Sequence, residues 1–263
     1  AEGLLSGARL LGQRTAELHA TLARHRGDSA FDPEPLTLAD LQHTVTQVRA
    51  AATNTLALLR KPAPHAESAP QLHCLAAAVA AVDGFATRLT ATPPAGLKTR
   101  IHGAYRLQEI LLVNNDFVIV DFEGCANAAI AERRSKQSAW RDVASLLHSF
   151  DLARLAALHA GAHGSAEQAR LESLATDAVE TLRSAFMEAY GATGLAAGLW
   201  PDAATLATQE PLRKLFEIEL AVRELADALR QPGADPATAW AALETLLARH
   251  GAASPSEENP WTT

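Results

Sequence analysis

The sequence predicts a mainly α-helical protein, a helical bundle with one short β-hairpin set into its middle. Three observations carry this expectation. Alanine and leucine dominate a chain of 263 residues in which aromatics make up only 5%, a composition that favours helices over sheets. Apolar residues recur at helical spacing through most of the length. The runs EILLV and FVIVDF, separated at NND, form the only convincing pair of strands and carry a good hairpin signal between them.

Each element follows from its own residues. Residues 6–25 place Leu10, Leu11, Leu18 and Leu22 at helical spacing, and RGDSAFDPEP then breaks the helix with glycine and proline. Thr37 followed by Asp40 reads as a capping-box variant that opens a helix running to about residue 60. After the loop KPAPHAESAP, residues 70–90 form a helix with an alanine-rich face suited to close packing. TATPPAGLKT is the next break, and the hairpin occupies about 109–121. Helices return over about 139–160, 167–192, 211–230 and 236–249, with Pro211 suited to a first turn. Residues 1–250 read as one lobe without internal repeats, and the polar, proline-bearing tail 251–263 reads as disordered.

The formal net charge of −7 excludes a general nucleic-acid binder, which needs a basic face. Cys74 and Cys125 lie far apart with no CxxC, the pattern of free thiols in a reducing compartment. There is no signal-peptide pattern. No apolar run approaches the roughly 20 residues of a membrane helix, so a soluble, cytoplasmic protein without a membrane partner is expected. The chain opens at Ala1 rather than methionine, which fits a fragment or a trimmed product.

The hairpin and the loop before it have the outline of a phosphotransferase site. Transfer of phosphate from ATP needs a carboxylate that orients the attacking hydroxyl and accepts its proton. It also needs a second carboxylate which, with a nearby amide or acid, holds Mg²⁺ on the phosphates. Two short strands supply these groups at fixed spacing. Here His102–Gly103 opens the loop, Glu109 stands at the start of the first strand, and Asp121 of DFEG closes the second. The base position, however, is Ala104.

The run HGAYRLQEIL, followed by VIVDFEGCANAAIAERRSKQSAWRDVASLLHSFDLAR, resembles the C-terminal lobe of bacterial maltokinases. These include maltokinases fused to trehalose synthase, within the aminoglycoside-phosphotransferase-like kinase superfamily. The match is specific through Asp121–Gly124, Ala131–Arg134, Lys136, Arg141–Ala144 and Ser149–Asp151. ARLLGQRTAELHATLA and LFEIELAVRELADAL resemble the helix entering that lobe and its late helix, so the likeness runs from about Ala8 to Arg249. It implies a protein-kinase-like C-terminal lobe. The β-rich N-terminal lobe, with its glycine-containing lip and phosphate-holding lysine, is absent from this chain. It either lies upstream or has been lost.

The departures from the family fall on working residues. The aspartate that the resemblance would make the catalytic base is Ala104, the following histidine is Arg106, a glycine is Gln108, and the metal-binding glutamine is Glu109. A lysine and two tyrosines that line the maltokinase sugar pocket correspond to Leu220, Arg223 and Asp227. The resemblance therefore implies a degenerate maltokinase, a pseudokinase whose natural partner is a trehalose synthase or related glucan enzyme in trehalose, maltose or glycogen metabolism. No cofactor is expected, with Mg²⁺ and ATP required only if activity is retained. The alternatives are an active sugar kinase with Glu109 or Glu123 in place of the base, and a regulatory module that binds carbohydrate or nucleotide.

Other residues carry plainer readings. Asp121 is open to two: a Mg²⁺ ligand with Glu109, or a carboxylate that caps backbone amides, which loss of the base favours. His102 reads as a structural loop residue, and Asp142 as a tether of the loop or a cap of its helix. His159 and His163 read as a solvated pair rather than a zinc site, and Arg133 to Lys136 as a solvated turn or a surface for an acidic partner. Trp140, Trp200 and Trp240 read as packing anchors rather than sugar platforms.

Overall fold

Helix α1 (Glu2–Leu22) is followed by a short strand β1 (Glu34–Pro35), then by α2 (Leu38–Leu59) and α3 (Ala69–Thr90). Strand β2 (Leu97–Thr99) leads through a loop and a 3₁₀ turn (Leu107–Glu109) into the hairpin, β3 (Ile110–Val113) and β4 (Asp116–Ile119). A single-turn helix α4 (Ile130–Arg133) and strand β5 (Gln137–Ser138) precede α5 (Trp140–His159) and α6 (Ser165–Ala196). The chain continues with α7 (Ala203–Thr208), α8 (Glu210–Arg230) and α9 (Ala237–Arg249). This computed structural model describes residues 2–59, 69–91, 94–125, 128–159, 165–231, 233 and 235–251. It divides into two units, Ala1–Thr37 with Pro94–Arg213, and Leu38–Pro93 with Lys214–Thr263.

The long helices stand where apolar spacing predicts them. α2 starts directly after Thr37, and Pro211 occupies the first turn of α8. The hairpin pairs Ile110 with Ile119, Leu111 with Val118, Leu112 with Phe117 and Val113 with Asp116. Its turn is Asn114–Asn115, with φ of 51° and 62°. Positive φ at both central residues is what a type I′ turn requires, and asparagine tolerates it at low cost.

One sheet was not expected. β2 pairs antiparallel with β1, Pro35 opposite Leu97, and with β5, Lys98 opposite Ser138. These strands are two or three residues long. They are too short to show alternation, and long-range pairing alone defines them.

In the first unit α1 presents Ala8, Leu11, Gly12, Thr15, Ala16 and His19 to the core, spaced three and four apart along one face. It packs against α6, which also meets α5. Between them lie Val143, Leu146, Leu147, Phe186 and Tyr190, all buried. A Cβ on Gly12 would sit 2.3 Å from the Phe186 carbonyl oxygen, so the α1 and α6 backbones meet where only glycine fits. Arg183 on α6 donates through Nη1 to Leu147 O at 2.8 Å and to Asp151 Oδ2 at 3.1 Å, with both side chains buried. Trp140 stacks on Trp200 at 5.5 Å between ring centroids, and both are core residues. Trp240 is equally buried in the second unit.

In the second unit α3 packs on α2 and α9. Val48, Ala52, Leu75, Ala78, Val82, Phe85, Leu243 and Leu246 form that core, and Arg49 is paired with Asp83 across α2 and α3. Contrary to the sequence reading, one helix is long and apolar enough to cross a membrane. Residues Pro70–Thr90 have a mean hydropathy of 1.3. Alanine produces this value without any run of large apolar residues, and the face carrying Leu75, Val82 and Phe85 is committed to the unit's own core. Both thiols are free. Burial, and then the charge of Glu244, push the Cys74 thiol up to about 12, while Cys125 is exposed. His159 is exposed at the end of α5, and His163 lies outside the described residues, as do residues 252–263.

Candidate functional site

The loop from Ile101 to Arg106 is fastened from several sides. Asp142, fully buried in the first turn of α5, accepts the backbone N–H of His102 through Oδ2 at 2.8 Å and that of Gly103 through Oδ1 at 2.9 Å. Two charge-assisted bonds to adjacent N–H groups fix the peptide plane between them. This is the tethering role that the RDVA motif suggested. His19 Nε2 stands 3.3 Å from Asp142 Oδ2, and its Nδ1 lies 2.9 Å from the Tyr190 hydroxyl. Burial, and then the charge of Asp142, raise the Tyr190 pKa well above its ordinary value. An ionised carboxylate can only accept, so His19 Nε2–H donates to Asp142, while Nδ1 bonds the Tyr190 hydroxyl.

His102 joins the loop to the hairpin. The Ala104 N–H donates to its Nδ1 at 3.4 Å, and its Nε2–H donates to Val120 O at 2.8 Å. Its ring lies between those of Tyr105 and Phe122, at 5.3 and 4.8 Å. Tyr105 is buried and hydrogen-bonds Thr15 Oγ1 at 2.8 Å, and the Leu107 N–H donates to Ser149 Oγ at 3.2 Å. Gly103 has φ of 82°, and a Cβ there would face Gly124 Cα at 3.4 Å, so this close approach of loop and hairpin favours glycine.

The hairpin itself is anchored to α1. Arg14 donates through Nε and Nη2 to the two carboxylate oxygens of Asp116, each at 2.8 Å. The Val120 N–H donates to Glu109 O at 3.0 Å, which sets Glu109 opposite the residue before Asp121. Loop, hairpin and helix thus bring Ala104, Glu109 and Asp121 into one connected segment. Among the described residues neither the Asp121 nor the Glu109 carboxylate has a hydrogen-bond partner. No backbone amide of a described residue is capped by the Asp121 side chain. Asp121 is exposed and holds φ of 63°, a left-handed conformation that costs a non-glycine residue about 1 kcal/mol. Ala104 presents a methyl group that can neither accept a proton nor orient a hydroxyl.

Leu220, Arg223 and Asp227 lie on α8 in the second unit. Arg223 pairs with Glu219 one turn earlier at 2.7 Å, and Asp227 with Arg230 at 3.1 Å. Both pairs run along their own helix, and Leu220 is half-buried. Glu123 is exposed, and its carbonyl oxygen accepts from Arg133 Nη1 at 3.3 Å.

The RRSK turn is less solvated than expected. Lys136 Nζ donates to Ser29 O at 2.7 Å and to Glu34 Oε1 at 2.6 Å, so it pins the segment carrying β1. The Arg14 fork, the Ser149 hydroxyl, the Thr15–Tyr105 bond and the Lys136 anchor were not legible as contacts. The only signal was the strength of the match at Lys136 and Ser149, which marked positions without assigning partners.

No family model matches the sequence. Solved structures do. A glucosamine kinase in complex with glucosamine, ADP and inorganic phosphate superposes with a TM-score of 0.69 at 22% identity, over 93% of this chain and 51% of that chain. Glucosamine kinase in crystal form A gives 0.69 at 23% identity over 93% and 54%, and crystal form B gives 0.69 at 22% over 93% and 52%. The chain spans about half the length of the structures it matches. The likeness shows the fold, a mostly helical kinase-like lobe of the kind found in these sugar kinases.

Proposed function

We propose that this chain is a sugar-kinase-like lobe that no longer transfers phosphate and acts as a scaffold or regulatory partner. One observation carries the reading. The loop is held by contacts from Asp142, His102, Tyr105 and Ser149, yet the position that the likeness to maltokinases gives the general base is Ala104. Loss of the base from a disordered loop would mean little. Loss from a loop this firmly held leaves the framework without its proton acceptor. The sequence likeness to maltokinases supports maltose, trehalose or glycogen metabolism as the setting and a trehalose synthase or related glucan enzyme as the partner.

The test is ATP-dependent phosphorylation of maltose and of glucosamine by the whole gene product with Mg²⁺. No turnover above the uncatalysed background is expected. Turnover that disappears in Asp121→Asn would overturn the proposal and favour an active kinase with Glu109 or Glu123 as base.

A second reading, nucleotide binding without transfer, is favoured by the carboxylates of Asp121 and Glu109, which have no partner among the described residues and flank the open end of the hairpin. Two carboxylates suit Mg²⁺ whose shell is completed by phosphate oxygens and water, and Asp121 and Glu109 are the residues that would hold it. Calorimetric titration with ATP and Mg²⁺ decides this reading. A saturable signal lost in Asp121→Asn supports it, and no signal removes it.

A further inference from the structure

We propose that the cleft between the β1 segment and the RRSK turn is an anion site that takes a phosphate group, either free or carried on a small metabolite. The cleft is open, encloses about 760 Å³, and lies wholly within the first unit. That volume suits a small molecule. Phe31, Glu34, Lys98, Arg100, Arg134 and Lys136 line it, so four cationic side chains face one carboxylate in a protein whose net charge is −7.

The way these charges are used matters more than their number. Glu34 is shared between Lys136 at 2.6 Å and Lys98 at 3.6 Å, and it lies below the usual carboxylate range because of them, Lys136 first. The carboxylate therefore offsets one of the two lysine charges, and the three groups together keep one positive charge. The arginines do not belong to this set. Arg100 is half-buried, with its guanidinium 5.1 Å from the centre of the Phe31 ring. Arg134 is exposed, and neither arginine has a carboxylate partner among the described residues. The ring face of Phe31 holds the Arg100 cation by its quadrupole without neutralising it. Two guanidiniums with unused N–H forks on one cleft match a tetrahedral oxyanion with several acceptor oxygens. None of the lining residues belongs to the hairpin, so this inference stands independently of whether phosphate transfer is lost.

The test is titration of the chain with inorganic phosphate, a hexose monophosphate and the uncharged hexose, followed by calorimetry. Saturable binding is expected for the phosphate-bearing probes and none for the uncharged sugar. Arg100→Gln and Arg134→Gln should each weaken binding about tenfold, as loss of a charge-assisted contact does, with melting temperatures matching the parent. Tighter binding of the hexose monophosphate than of phosphate identifies a metabolite site, and equal binding identifies a site for the free ion. Binding in the unaltered protein should also fall steeply with added sodium chloride. Failure of both phosphate probes to saturate at millimolar concentration, undiminished binding in the double variant, or salt-insensitive binding would each overturn the proposal.

Discussion

Asp142 accepts the backbone N–H of Gly103 at 2.9 Å while its other oxygen accepts that of His102 at 2.8 Å. One buried carboxylate thus bonds two adjacent N–H groups of the loop from Ile101 to Arg106. Asparagine has nearly the same shape but only one acceptor, and its NH₂ would face a backbone donor. Asp142→Asn should cost about 2 kcal/mol of unfolding free energy, the penalty for a buried donor left unsatisfied. Urea denaturation checks this, and amide hydrogen exchange at His102 and Gly103 should accelerate in the variant. A variant as stable as the parent, with unchanged exchange, would show that the loop is held by other contacts.

Gly12 is where α1 and α6 come closest. Alanine normally strengthens a helix by up to about 1 kcal/mol relative to glycine. Here its methyl would lie 2.3 Å from Phe186 O, a backbone atom that cannot rotate away. Overpacking should win, and Gly12→Ala should destabilise the first unit by on the order of 1–3 kcal/mol. A rise in denaturation midpoint would instead show that the helices separate freely.

The Arg14–Asp116 fork sets a pH dependence. The hydrogen bonds from Arg14 first, and then the backbone N–H of Phe117, hold the Asp116 carboxyl below its ordinary value. A folded-state pKa below the unfolded value of about 3.9 means that the contribution is fully present above that pH and is lost as pH falls through the folded value. Asp116→Asn should therefore lower stability at neutral pH, and the gap between variant and parent should close in acid. Both side chains are substantially exposed, 34% for Arg14 and 45% for Asp116, so salt should reduce the gap as well. Paired denaturation curves from neutral pH to strong acid measure this. A gap that persists below the folded pKa would contradict it.

The sequence was most informative where structure is local. Periodic leucines and valines located the long helices, and Asn114–Asn115 located the turn, because helix and hairpin geometry depend on neighbouring residues. The motif DFEG and its flanks pointed to a kinase-like lobe, which the structural likeness bears out as a fold. The three-stranded sheet was invisible, since strands such as Glu34–Pro35 and Gln137–Ser138 exist only through partners far along the chain.

The candidate site divides in the same way. That residue 104 cannot accept a proton is legible from the sequence alone, because no fold can give the methyl group of Ala104 a lone pair. How the loop around it is held, and whether Lys136 is solvated, were decided only by the tertiary structure. Asp142 reaches the loop across nearly forty residues of sequence, and Arg14 reaches Asp116 across about a hundred. Hydrogen bonds of this kind depend on distance in space, and spacing along the chain does not encode them.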